Sequence, residues 1–178
     1  LCVMVAALAY SAGPYPLSHH GLGDITVVIF FGVIPVTLTF LLQTGEWSES
    51  VTLLGTSLAV GMMAANVLIV NNYRDMDDDM SVGKKTTVVI FGRIVMGAVY
   101  LISGVLAMIL TVPLWKSLPL WTVFLPAIYL MMHISTWRKI TKSRGSALNP
   151  LLGKTAMNLL MFSLMLLAVL ISARLWFR

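Results

Sequence analysis

Hydrophobic residues in this chain gather into long runs instead of the spaced stripe of a surface helix. The runs fall at about residues 25–42, 50–70, 88–112, 118–137 and 151–173. Each approaches or reaches the roughly 20 residues needed to cross the hydrocarbon layer of a bilayer. None alternates with the period of two that marks a barrel strand, so the backbone must satisfy its own polar groups as helix. The pattern predicts an all-α, polytopic transmembrane helical bundle with five complete spans, organised as a single membrane-embedded domain over residues 1–178. A sixth, partial span at residues 1–12 reads as the last turns of a helix that stops at Gly13-Pro14-Tyr15-Pro16, before a polar loop with His19, His20, Gly21 and Gly23. No initiating Met or basic n-region precedes that run, so an upstream part of the same protein is expected. Pro35 and Pro126 fall inside spans and are expected to kink them. The small residues Gly55, Ser57, Ala59, Gly61, Ala64 and Ala65 would allow close helix approach.

Composition strengthens this picture. Of 178 residues, 58% are hydrophobic and 11% charged, against about 25% charged in a soluble domain. The net charge of +5 does not indicate nucleic acid, because its distribution follows the loops. Arg74, Lys84, Lys85, Arg93, Arg138, Lys139, Lys142, Arg144 and Lys154 fall on one side, and Lys116, Arg174 and Arg178 on the other. The positive-inside rule places the first group in the cytoplasm and Glu46 and Glu49 outside. Cys2 is the single cysteine, which excludes an intramolecular disulfide and a cysteine metal cage.

Four of the seven acidic residues crowd into five positions, in Asn71-Asn72-Tyr73-Arg74-Asp75-Met76-Asp77-Asp78-Asp79. Carboxylates this close raise one another's pKa unless a cation holds them ionised. If the second span continues two turns beyond Val70, Asp75 and Asp79 become i,i+4 neighbours with Asp78 beside Asp75, while Asp77 points elsewhere. Hard oxygen ligands at a helix end suit Mg²⁺, which takes one or two protein carboxylates and fills its shell with water and phosphate oxygens. Arg74, Lys84 and Lys85 can meet the remaining phosphate oxygens, with Gly83 turning the chain back. A calcium loop is rejected, since its sixth position is Met80 and its twelfth Thr86, where Gly and Glu are required. A solvated acidic loop balanced by Arg74 and the lysines remains the plain structural alternative.

The stretch Asn71-Asn72-x-Arg74-Asp75, then Asp79, Gly83-Lys84 and Thr86, resembles the second aspartate-rich motif of UbiA-type intramembrane prenyltransferases. Its form is similar to the branch that prenylates 1,4-dihydroxy-2-naphthoate in menaquinone synthesis. Tyr10-x-x-Gly13-Pro14-x-Pro16-Leu17 with Gly21-Leu22-Gly23-Asp24 resembles the same branch before its fifth helix. The resemblance implies nine spans, of which this chain would supply the end of the fourth and the fifth to ninth. It implies Asp75 and Asp79 as catalytic Mg²⁺ ligands, and Asn71, Asn72, Arg74, Asp78 and Lys84 as diphosphate-binding residues, with Asp77 and Asp78 open as metal ligands. It further implies polyprenyl diphosphate and 1,4-dihydroxy-2-naphthoate as substrates, the bilayer as surroundings, and a multi-pass bacterial inner-membrane protein with its site toward the cytoplasm. The family's first motif, N-D-x-x-D-x-x-x-D, has no counterpart here, so this chain alone is expected to hold half the metal site and to be inactive.

Other readings stay open at this level. The acceptor can be 4-hydroxybenzoate, homogentisate, haem or a lipid. A cation-coupled transporter would put the acidic cluster at the midplane beside broken helices, and a non-catalytic scaffold would lack the first motif altogether. Lys154 and Asn158 share a helical face near the basic side, either as functional groups or with the lysine snorkelling. His133 reads as a packing residue. His19, His20, Tyr10 and Tyr73 could border an aromatic acceptor, and Trp47, Trp115, Trp121 and Trp176 read as interfacial anchors.

Overall fold

A computed structural model describes Leu8, Tyr10 and residues 16–48, 50–115, 118–119 and 124–176, with side chains to residue 173. Five long helices follow in order: α1 (Gly23–Thr44), α2 (Val51–Ser81), α3 (Thr87–Trp115), α4 (Phe124–Ile140) and α5 (Asn149–Trp176). Short 3₁₀ turns at Leu17–His19 and Gly145–Leu148 precede α1 and α5. Each helix coincides with one predicted apolar run. Among the described residues four are long and apolar enough to cross a membrane, the stretch before α5 counting from Gly145, with mean hydropathy between 2.0 and 2.6. The fourth helix, α4, is shorter, at 17 residues. Of the expected N-terminal remnant only Leu8 and Tyr10 are described, both helical. Gly13, Pro14, Tyr15, Glu49, Lys116, Trp121 and Arg178, and the side chains of Arg174 and Trp176, lie outside the described part.

α2 is the hub, packing against α1, α3 and α5. Its contact with α1 is backbone on backbone. A Cβ on Gly61 would stand 2.5 Å from the Val28 carbonyl oxygen, and one on Gly32 the same distance from the Ser57 carbonyl oxygen. This is the small-residue approach expected from the sequence, since without a hydrophobic drive between helices in lipid, close van der Waals packing carries association. Gly61→Val should therefore destabilise the bundle by about 1–3 kcal/mol through overpacking, seen as a lower thermal midpoint in detergent. Gly153→Ala, where an added methyl meets nothing within 4 Å, should leave the midpoint equal or higher.

Two backbone irregularities depart from simple spans. Pro35 does not sharply break α1. A π-helical turn at Ile29–Val33 comes just before it, with the Ile34 amide donating to the Ile29 carbonyl, and this wider turn accommodates a residue with no N–H to continue the α register. In α3 the helix breaks at Gly92, at φ 78° and ψ 165°, a conformation that a side chain strongly disfavours. Nothing in the apolar run from 88 to 112 announces that break. Pro126, expected to kink its span, is instead the third residue of α4, in its first described turn, where a missing N–H is tolerated.

Polar side chains tie the helices internally. Ser103 donates to Asn66 Oδ1 at 2.9 Å and Asn158 to Thr136 Oγ1 at 3.1 Å, bonds worth about 0.6 kcal/mol each inside membranes. His133 is buried, stacked on Tyr100 with centroids 4.6 Å apart, and its Nε2 lies 2.9 Å from the Tyr100 carbonyl oxygen. It is a hydrogen-bonded packing residue. Phe31, Leu42, Ile94 and Phe124 project outward, as side chains facing lipid do.

Candidate active site

α2 runs unbroken through the acidic stretch to Ser81, so the continuation that the spacing required is present. Arg74 grips Asp75 with two nitrogens, Nε to Oδ1 at 2.6 Å and Nη2 to Oδ2 at 2.8 Å. The same guanidinium donates to Asn71 Oδ1 at 2.9 Å and to Asn149 Oδ1 at the start of α5 at 3.2 Å, while Asn71 Nδ2 donates to Asp75 Oδ2. Bidentate pairing of this kind fixes both groups. Arg74 thus faces a carboxylate here rather than open space for a phosphate.

Asp79 is buried. Its Oδ1 lies 3.0 Å from Lys84 Nζ, and its Oδ2 is buried with no partner among the described residues. An unpaired buried acceptor costs about 1–3 kcal/mol, more when charged. Asp77 is largely exposed and pairs with Arg93 at 3.2 Å, on a different side from Asp75, as the helical spacing requires. Asp78 is exposed. After Ser81 the chain reverses through Gly83 at φ 72°, which returns Lys84 to Asp79.

Two loops then close on each other. The Lys85 amide donates to the His19 carbonyl at 3.0 Å, and His20 bridges to Lys85. Beneath them lies a cavity of about 320 Å³ lined by Tyr10, His19, Asp24, Leu68, Asn71, Asn72, Lys84 and Thr87, among others. Of the residues expected in a site, Tyr10, His19, Asn71, Asn72 and Lys84 border this cavity. Arg74, Asp75, Asp78 and Asp79 lie beside it on the same helix end but not on its wall.

Asp24 is the residue to which the sequence assigned no role. Its Oδ2 accepts a hydrogen bond from Thr87 Oγ1 at 2.5 Å, and its Oδ1 is buried without a partner among the described residues. An ionisable residue in the first turn of a membrane helix is by default a functional candidate, and that signal was available. Among the described residues no group of three or more His, Cys, Asp or Glu side chains is arranged to hold a metal.

A bundle of membrane-length helices whose amides, carboxylates and a lysine converge at one end defines an integral membrane protein with a polar site beside its apolar interior. The chain belongs to the UbiA prenyltransferase family, whose model matches residues 1–162. It is 38% identical over 92 residues to a 1,4-dihydroxy-2-naphthoate octaprenyltransferase of Haemophilus influenzae, covering 52% of this chain and 29% of that protein. The Escherichia coli protein of the same name is 38% identical over 91 residues, 51% of this chain and 29% of its own length. A 2-carboxy-1,4-naphthoquinone phytyltransferase of Synechocystis is 30% identical over 83 residues, 47% and 26% respectively. The match thus spans under a third of each of these relatives. No solved structure matches the chain.

Proposed function

We propose that the protein transfers a polyprenyl group from polyprenyl diphosphate to 1,4-dihydroxy-2-naphthoate, releasing diphosphate and carbon dioxide and giving demethylmenaquinol. The observation that carries this reading is the cavity joining Asn71, Asn72 and Lys84 of one motif to Asp24 of the other. The relatives' names support the acceptor: a naphthalene ring recurs in all three while the transferred chain is octaprenyl in two and phytyl in one.

In this reaction the C1–O bond of the donor breaks with its electron pair leaving on the diphosphate oxygen. The electron-rich ring carbon forms the new C–C bond and then loses its carboxylate as carbon dioxide. Asp75 and Asp79 are the residues that would hold Mg²⁺. They are hard oxygen donors one turn apart; the unpartnered Oδ2 of Asp79 is the kind of atom a cation would satisfy, while Asp75, held here by Arg74 on both oxygens, would exchange part of that pairing for the ion. When bound, the ion would neutralise the diphosphate as leaving group. Lys84 supplies a positive charge at the cavity wall for phosphate oxygens, and the amides of Asn71 and Asn72 supply N–H donors. Asp24 Oδ1 accepts a hydrogen bond from a ring hydroxyl, which raises electron density on the carbon that attacks. The basic loops support an orientation with this end of the bundle toward the cytoplasm of a bacterial inner membrane.

Deleting the gene from a bacterium that makes both quinones should abolish menaquinone and leave ubiquinone unchanged, as read by lipid extraction and mass spectrometry. Menaquinone retained at the parental level would reject the naphthoate acceptor.

A further inference from the structure

A second cavity, of about 420 Å³ and mostly apolar in its walls, opens between α4 and α5 and shares no residue with the one at Asn71. Its walls carry Lys139 from the last turn of α4 and Lys154 from the second turn of α5, over Met131, Met157 and Ser135. The two lysine side chains face the same hollow. The ion pairs among the described residues involve Asp75, Asp77 and Asp79 only, so neither lysine meets a carboxylate. Arg138 and Lys142 line the adjoining hollow, which shares Met131, Ser135 and Lys139. Four cations without an acid leave room for an anion.

The shape says which anion. Met131 lies eight residues before Lys139, about 12 Å down the helix at 1.5 Å per residue, and both Met131 and Met157 are exposed. The groove therefore runs from a basic mouth along apolar thioethers toward the middle of the bilayer. Arg74 bonds to Asn149 at the foot of α5, which puts the basic mouth at the same membrane face as the acidic end of α2. That leaflet, if cytoplasmic, is the one rich in anionic lipid, and basic pockets between membrane helices on that side hold anionic headgroups.

We propose that the α4–α5 groove is a binding site for one anionic phospholipid, its phosphodiester between Lys139 and Lys154 and an acyl chain along Met131 and Met157. The site is independent of the proposed reaction.

The test uses the full-length protein in nanodiscs of phosphatidylcholine doped with phosphatidylglycerol, with retained lipid counted by native mass spectrometry. The Lys139→Gln/Lys154→Gln double variant should lose retained phosphatidylglycerol by about thirtyfold, the combined weight of two surface charges. Lys85→Gln/Arg144→Gln, with the same net charge and with neither residue lining the groove or the adjoining hollow, should retain it within about twofold of the parent. Equal loss in both variants would mean diffuse surface attraction and would overturn the site. Displacement of the lipid by millimolar inorganic phosphate would overturn it in favour of a free anion.

Discussion

Asp79→Asn in the full-length protein should lower turnover by about 10²–10³-fold while the protein stays folded, since the loss of one preorganised charge at a developing leaving group has that scale. The substitution keeps size and keeps an oxygen near Lys84, but removes the charge that the buried, unpartnered Oδ2 carries. Activity would be measured as prenylated naphthoate formed in detergent, with Mg²⁺ titrated in parallel. The concentration of Mg²⁺ for half-maximal rate should rise. Two variants separate this role from a structural one. Asp77→Asn breaks only the exposed pair with Arg93, worth about 0–1 kcal/mol, and should leave turnover near the parent. Lys84→Ala strands Asp79 in burial, so it should reduce the thermal midpoint more than Asp79→Asn does. Asp79→Asn with parental turnover and an unchanged Mg²⁺ requirement would sink the metal-ligand assignment.

Asp24→Asn carries the second large effect. Thr87 can still donate to the remaining amide oxygen, so the α1–α3 contact survives, but the second oxygen that would take the acceptor's hydroxyl is replaced by an N–H₂ donor. Loss of a positioned proton acceptor typically lowers rate by about 10²–10⁴, and a fall of at least about 10² in kcat is expected here. KM for the prenyl diphosphate should stay unchanged, because Lys84 and the asparagines are untouched. Thr87→Val removes the bond to Oδ2 alone and should cost less than Asp24→Asn. A shift in KM for the diphosphate with kcat preserved would move Asp24 out of the acceptor's site.

These two aspartates differ in how visible they were beforehand. Asp79 stands one helical turn from Asp75 and five residues from Lys84, so continuing the apolar helix by two turns was enough to bring the three toward one another. Asp24 and Thr87 are 63 residues apart. Only the tertiary packing that brings the starts of α1 and α3 together joins them, and no local spacing encodes that packing. The same divide runs through the fold. A run of some 20 apolar residues has one stable state in lipid, so the helices themselves were legible. The π turn before Pro35 and the break at Gly92 depend on which carbonyl finds a donor from elsewhere. The Tyr73 hydroxyl, for example, donates to the Arg93 carbonyl just after the break. Helical spacing gives the position of Arg74 but not its partner, and in the fold that partner is its own neighbour, Asp75, instead of a phosphate.

The bond from the Lys85 amide to the His19 carbonyl couples two loops that the chain separates by two membrane helices. Neither can lift away without stripping a backbone partner from the other, so they form one cooperative unit of local unfolding. At the cavity wall, whatever stabilises the turn at Gly83 therefore also steadies the loop that carries His19.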